Sequence, residues 1–294
     1  MTRRAPLVAL VGVTVIWGIT FVQVQNAIAL YPLFAFLAVR FTISTAVLAP
    51  FAYGSLRRLP TSGYVVGVGV GGLLGAAYAL QTAGLDRTTV ASTGFITGLY
   101  VVFTPLLALA FFGTAVPRAL WLGIALAVVG LLLLNGVPGG STLGNVLVLG
   151  NAVFQAVQIT AMERYAPRYD PRALTFLQMG TAAVAFTVIA LALGDLGVPH
   201  GRTVWSALIV TGVFAGALGY LVATWVQAST TAARAALVFT LEAPFAALAG
   251  VLLADEVLGW AGWLGCGVMM AGILVAEPLA ASALRRFSGR GAPA

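Results

Sequence analysis

Ten stretches of roughly 20 apolar residues, almost empty of charge, follow one another along the chain with short polar joints between them. They run roughly over 6–27, 32–53, 63–83, 88–112, 118–135, 142–163, 172–193, 203–226, 232–253 and 258–280. A helix rises about 1.5 Å per residue, so about 20 such residues cross a hydrocarbon core of about 30 Å. Each stretch therefore predicts a membrane-spanning helix. The joints carry boundary chemistry: Tyr31-Pro32 opens the second stretch, and Pro60-Thr61-Ser62-Gly63 closes the joint after it. The most loop-like segment, Val137-Pro138-Gly139-Gly140-Ser141, lies near the middle of the chain. No joint is long enough for a soluble domain.

Composition closes off the alternatives. Hydrophobic residues make up 61% of the 294 and charged residues 8%, against about 25% charged in soluble domains. A soluble globular enzyme, a disordered chain and a disulfide-stapled scaffold are all excluded. Cys266 has no intrachain partner and His200 is the single histidine, so neither a bridge nor a Cys- or His-cluster metal centre can form. There is no P-loop for ATP, and the Gly-rich run Gly67–Gly75 lacks the strand–turn–helix setting of a dinucleotide site. No Ser/His/Asp arrangement can be placed inside a membrane. The expectation is no enzyme, no cofactor and no metal.

The net charge is +7, and every basic residue is Arg. These residues do not gather into a patch, which argues against nucleic acid. They fall in short groups between the apolar runs: Arg3-Arg4, Arg57-Arg58, Arg164/Arg168/Arg172 and Arg285-Arg286/Arg290. With the N-terminus inside and the runs alternating, twelve arginines lie inside, Arg87 and Arg202 lie outside, and Arg40 is left within a span. That bias obeys the positive-inside rule. It predicts a multi-pass protein of a bacterial-type inner membrane with both termini cytoplasmic. The first stretch is too long for a signal-peptide core and is read as an uncleaved helix.

Laid on itself at an offset of 142, the chain superposes Tyr78 on Tyr220, Thr82 on Thr224, Thr88-Thr89 on Thr230-Thr231 and Ala91 on Ala233. Trp121 falls on Trp263, Gly123 on Gly265 and Gly130 on Gly272, whereas Pro105 and Pro244 differ by 139. The register holds over spans three to five and eight to ten. Two units follow, 1–138 and 139–294, each with five spans. An odd number of crossings makes the second unit enter the bilayer upside down. Inverted repeats of this kind belong to secondary transporters, with the solute site near the midplane between the repeats.

At this point the chain resembles the drug/metabolite transporter superfamily in its EamA-domain branch. The residues that carry the likeness are Trp17-Gly18 with Phe21, Arg40-Phe41, Ala232-Ala233, Leu241-Glu242-Ala243-Pro244, and Asp255-Glu256 followed by Gly265 and Gly272. Thr114 stands in the first repeat where Glu256 stands in the second, so the acidic turn is given no transport role. Within the superfamily the chain is similar to the YddG-like aromatic amino acid exporters. The resemblance implies an all-α membrane protein of ten transmembrane helices in two inverted five-helix repeats, and it alone suggests export.

Candidate residues come from the polar and aromatic positions inside the spans. Glu242 lies about 15 Å into span nine and Arg40 about 12 Å into span two from the other side, counted at 1.5 Å per residue. A buried charge is costly there, so the two are expected to face inward and pair. They form either a structural ion pair or, with Glu242 taking up and releasing a proton, a coupling site. Pro105 and Pro244, inside spans four and nine, predict kinks that could act as hinges. Trp17, Phe21, Tyr78, Gln81, Phe95, Tyr100, Gln155, Gln158, Trp225 and Phe239 are candidate substrate contacts. Rings and neutral amides suit a small neutral or zwitterionic solute with an apolar body, not a sugar phosphate.

Gly67/Gly71/Gly75, Gly94/Gly98 and Gly212/Gly216 stand four apart and read as close-packing faces, or as faces that slide in gating. The function expected is export of amino acids, aromatic ones first, by alternating access. The alternatives are a drug or a nucleoside or purine exporter, or a non-transporting helper subunit. The partners implied are the small solute and the lipid bilayer.

Overall fold

The computed structural model describes residues 5–136, 140–253 and 257–276. Arg3, Arg4, residues 137–139 with Pro138, Asp255, Glu256, Arg285, Arg286 and Arg290 lie outside them. Ten helical spans are described: α1 (Ala5–Ile28), α2 (Leu33–Arg57), α3 (Thr61–Leu85), α4 (Val90–Gly98 and Tyr100–Phe112), α5 (Arg118–Asn135), α6 (Thr142–Tyr165), α7 (Pro171–Leu193), α8 (Arg202–Gln227), α9 (Ala232–Phe239 and Glu242–Leu253) and α10 (Trp260–Ala276). Nine are long and apolar enough to cross a bilayer, and α10 is a shorter apolar helix. Local chemistry sets their ends. Pro32, Pro60 and Pro117 stand at N-caps, Asp170 caps α7 ahead of Pro171, and Gly113 and Gly194 turn out of α4 and α7 with φ of 65° and 71°.

Three spans are not continuous α-helices. In α9 the break covers Thr240 and Leu241. Pro244 has no N–H for the Thr240 carbonyl and its ring crowds that oxygen, so the helix restarts at Glu242. In α4 the break is at Leu99, and the helix runs on through Pro105 as Tyr100–Phe112. The prolines are thus out of repeat register while the breaks, Leu99 and Leu241, are in it. In α8, Val210–Gly219 is π-helical. Side chains of neighbouring helices use the carbonyls on this segment: Trp17 Nε1 donates to Ala215 O at 3.0 Å and Ser44 Oγ to Gly212 O at 2.7 Å.

The packing has pseudo-two-fold symmetry. The contact of α3 with α6 has its mate in α8 with α1, α3 with α7 in α8 with α2, and α4 with α6 in α9 with α1. Two contacts map onto themselves, α5 with α10 and α2 with α7, so the axis passes through both. At the first, glycines allow backbone contact. A Cβ on Gly123 would lie 2.6 Å from Gly272 O, and one on Gly265 would lie 2.6 Å from Gly130 O. The other glycine faces are also used for packing: Gly67 and Gly71 meet α7, Gly98 meets α5, and Gly212 and Gly216 meet α2.

The end of the bundle holding the α1–α2, α3–α4, α5–α6, α7–α8 and α9–α10 connections is termed distal, the other proximal. At the distal end Tyr31 Oη donates to Gly197 O at 2.5 Å, and burial pushes this phenol's pKa up. At the proximal end Glu163 on α6 accepts a hydrogen bond from Ala232 N–H at 2.9 Å, capping α9 across the bundle.

Candidate functional site

A cavity of about 380 Å³ runs from the distal end toward the middle of the bundle. Its mouth is lined by Gln25 near the end of α1, Gly94 near the start of α4, Asn135 at the end of α5, and Val257 and Leu258 ahead of α10. Val257 is 96% exposed, which places the mouth at the surface. The floor is made by Tyr100 and Glu242, the first residues after the two helix breaks. They are 142 apart, the repeat offset. One wall is the small face Ala243, Ala246 and Ala247 of α9, facing Phe21 and Val22 of α1 and Leu131 and Leu134 of α5. A bulge of side chains at those three alanines would fill the space. Gly18 lets α1 pack directly on the α9 backbone beside this wall, because a Cβ there would meet Ala246 N at 2.7 Å and Glu242 O at 2.8 Å.

Below the floor lies a crevice of about 30 Å³ lined by Trp17, Thr20, Phe21, Arg40, Tyr78, Gln81 and Glu242, among others. Phe21 and Glu242 border both spaces. Among the described residues the only salt bridge is Arg87–Asp86, so Arg40 and Glu242 face one crevice without the direct ion pair the sequence predicts. The reason is that Arg40 is held elsewhere. Its guanidinium lies over the Tyr78 ring at 4.7 Å and the Phe41 ring at 5.5 Å, and Nη2 donates to Tyr78 Oη at 3.4 Å. Tyr78 in turn accepts from Tyr220 Oη at 3.1 Å. Those tyrosines are repeat mates, so they meet beside the pseudo-two-fold axis.

The other expected positions divide by place. Trp17, Phe21, Tyr78, Gln81, Tyr100, Arg40 and Glu242 line the two spaces. Gln81 Nε2 reaches Thr97 Oγ1 at 3.4 Å, and Asn151 Nδ2 reaches the same oxygen at 3.1 Å. Phe239 is buried behind Trp17, with ring centroids 5.3 Å apart. Gln158 donates to Gln178 at 2.9 Å and is buried in that pair. Phe95 and Gln155 are half-buried and line neither space. Trp225 is 38% exposed on the outer face of α8. Pro105 and Pro244 are buried and line neither space. Sequence reasoning passed over Asn135, Thr240 and the alanine face. The spacing of Ala243, Ala246 and Ala247 beside a carboxylate was the available signal for the last.

Chemically, the described residues give the larger cavity apolar walls, a few neutral polar groups and one carboxylate. It can hold a small solute with an apolar body and a cationic or zwitterionic head.

The sequence profile described as the EamA-like transporter family matches residues 4–136 and again 142–276. An uncharacterized transporter of Archaeoglobus fulgidus is 30% identical over 266 residues, 90% of this chain and 82% of the relative. A solved crystal structure with 19% identity covers 95% of this chain and 99% of its own with a TM-score of 0.79, a likeness of fold alone.

Proposed function

The chain belongs to the EamA-like transporter family, and from that premise we propose that it is a secondary carrier exporting small neutral or zwitterionic metabolites. Amino acids with aromatic side chains, the solutes of the YddG-like exporters it resembles, come first. Transport in the general sense follows from the family. The finer reading is carried by one observation: among the described residues the only charged group lining the cavity of about 380 Å³ is Glu242, set between apolar walls at the joint of the two α9 segments.

Alternating access gives this geometry its use. Pseudo-symmetric halves can exchange conformations, closing the distal mouth and opening a proximal one. Seven arginines lie toward the proximal end among the described residues, Arg57, Arg58, Arg118, Arg164, Arg168, Arg172 and Arg234, against Arg87 and Arg202 at the distal end. That imbalance supports a cytoplasmic proximal end and an inner-membrane setting, with the cavity facing outward. Glu242 borders both spaces, where a proton or a substrate ammonium would neutralise it.

The test is uptake by the purified chain in proteoliposomes. Saturable L-phenylalanine exchange, competed by L-tryptophan and less by L-threonine, is expected. Absence of any solute movement would instead favour a helper subunit. Glu242→Gln is expected to remove any dependence on a pH gradient; unchanged pH-driven transport would end its coupling role.

A further inference from the structure

We propose that the crevice beneath Glu242 is a subsite for the charged head of an α-amino acid, with Arg40 receiving the carboxylate and Glu242 the ammonium. The proposal rests on the amino-acid reading above and narrows it to solutes carrying both charges on one carbon.

The first support is an incomplete donor set. Arg40 is 4% exposed and its Nε has no hydrogen-bond partner. Its guanidinium fork has five N–H donors matched to two carboxylate oxygens. Leaving a buried donor unpaired is costly, and more so on a charged group. The same crevice holds a further donor. Tyr78 Oη accepts from both Arg40 Nη2 and Tyr220 Oη, which leaves its own proton free to be donated. Gln81 lines the space as well.

The second support is size and charge order. A space of about 30 Å³ admits about two water-sized groups, the bulk of a carboxylate's two oxygens. Arg40 and Glu242 both line it, yet among the described residues they form no ion pair. An α-amino acid carries its ammonium and carboxylate on one carbon. Seated between the two side chains, it completes an alternating row: guanidinium, carboxylate, ammonium, carboxylate. Glu242 also floors the larger cavity, so the solute's side chain would extend along Phe21 and the Ala243–Ala246–Ala247 face. A purely structural Arg40, held by its stacking on Tyr78 and Phe41, would not discriminate between ligand heads.

The experiment measures binding of three probes to the full chain in lipid nanodiscs: L-phenylalanine, phenethylamine without the carboxylate, and 3-phenylpropionate without the ammonium. The wild type should bind L-phenylalanine at least ~10-fold more tightly than either, the return on charge-assisted bonds. Arg40→Gln should erase the preference over phenethylamine and keep that over 3-phenylpropionate; Glu242→Gln should do the reverse. Arg40→Lys, which keeps charge but loses the fork, should fall between and serves if Arg40→Gln does not fold. Equal wild-type binding of L-phenylalanine and phenethylamine overturns the subsite, as does a preference that survives Arg40→Gln. Binding of none of the three overturns the amino-acid reading itself.

Discussion

The two ends of the bundle are built from nearly the same parts and do opposite things. At the proximal end the first segment of α9 packs against α6 and against the second segment of α4, and Glu163 caps its first turn. At the distal end the symmetry-related first segment of α4 barely meets the second segment of α9, and it stands across a cavity from α1. One half-helix is seated against the other broken span, and its mate is not. The breaks at Leu99 and Leu241 allow this, because each divides a span into two segments with separate packing partners. The α5–α10 contact on the axis is common to both ends and does not distinguish them.

That contrast can be broken or sharpened, and the largest effect should be chemical access. In a Cys266→Ser background, Gly94→Cys on the distal wall should react with a polar maleimide about 100-fold faster than Ala236→Cys, which is fully buried in the proximal seal. Equal rates would abolish the distinction between the ends. Next come the axial glycines. Gly123→Val and Gly265→Val, at repeat-equivalent positions, should each cost about 1–3 kcal/mol from overpacking, seen as matching drops in the thermal midpoint in detergent. Markedly unequal drops would break the two-fold relation.

A smaller effect belongs to the proximal cap. Glu163→Ala removes an acceptor from the α9 N-terminus, worth about 1 kcal/mol, and should raise the labelling of Ala236→Cys about fivefold. No change would mean that packing alone holds this end shut. The smallest belongs to the axis itself. Tyr220→Phe deletes the hydrogen bond to Tyr78 at a cost of about 1 kcal/mol. It should leave the ratio of distal to proximal labelling where it was, because a contact between symmetry mates favours neither end.

Much of the architecture was legible in the residues. Span limits could be read because the cost of placing charge in lipid writes itself into every stretch, and Pro and Gly mark the joints. The repeat could be read from Gly123/Gly265, Gly130/Gly272 and Tyr78/Tyr220, positions where two copies of a backbone or a hydroxyl must approach each other. The site was legible only in part. Arg40 and Glu242 stood out because intramembrane charge is rare, and both lie on the crevice. Trp225 and Gln155 show why the rest was not. A ring or an amide is as useful at the lipid face or between helices as it is in a cavity, and only the rotation of each helix tells which. The ion pair was expected from matching depths, but depth says nothing of azimuth, and the Tyr78 ring took the guanidinium instead.

The sequence by itself determined the number and limits of the spans, the inverted duplication and the depth of the two intramembrane charges. Each follows from hydropathy and spacing, which are properties of neighbours along the chain. Only the tertiary structure decided which end is sealed, which residues line the two spaces, and that Arg40 and Glu242 stand apart across a crevice. The physical reason is that the halves share one helical pattern that fits both a seated and an unseated half-helix. The choice between them is made by contacts far apart in sequence, such as Glu163 with Ala232, and those come into being only once the helices are packed.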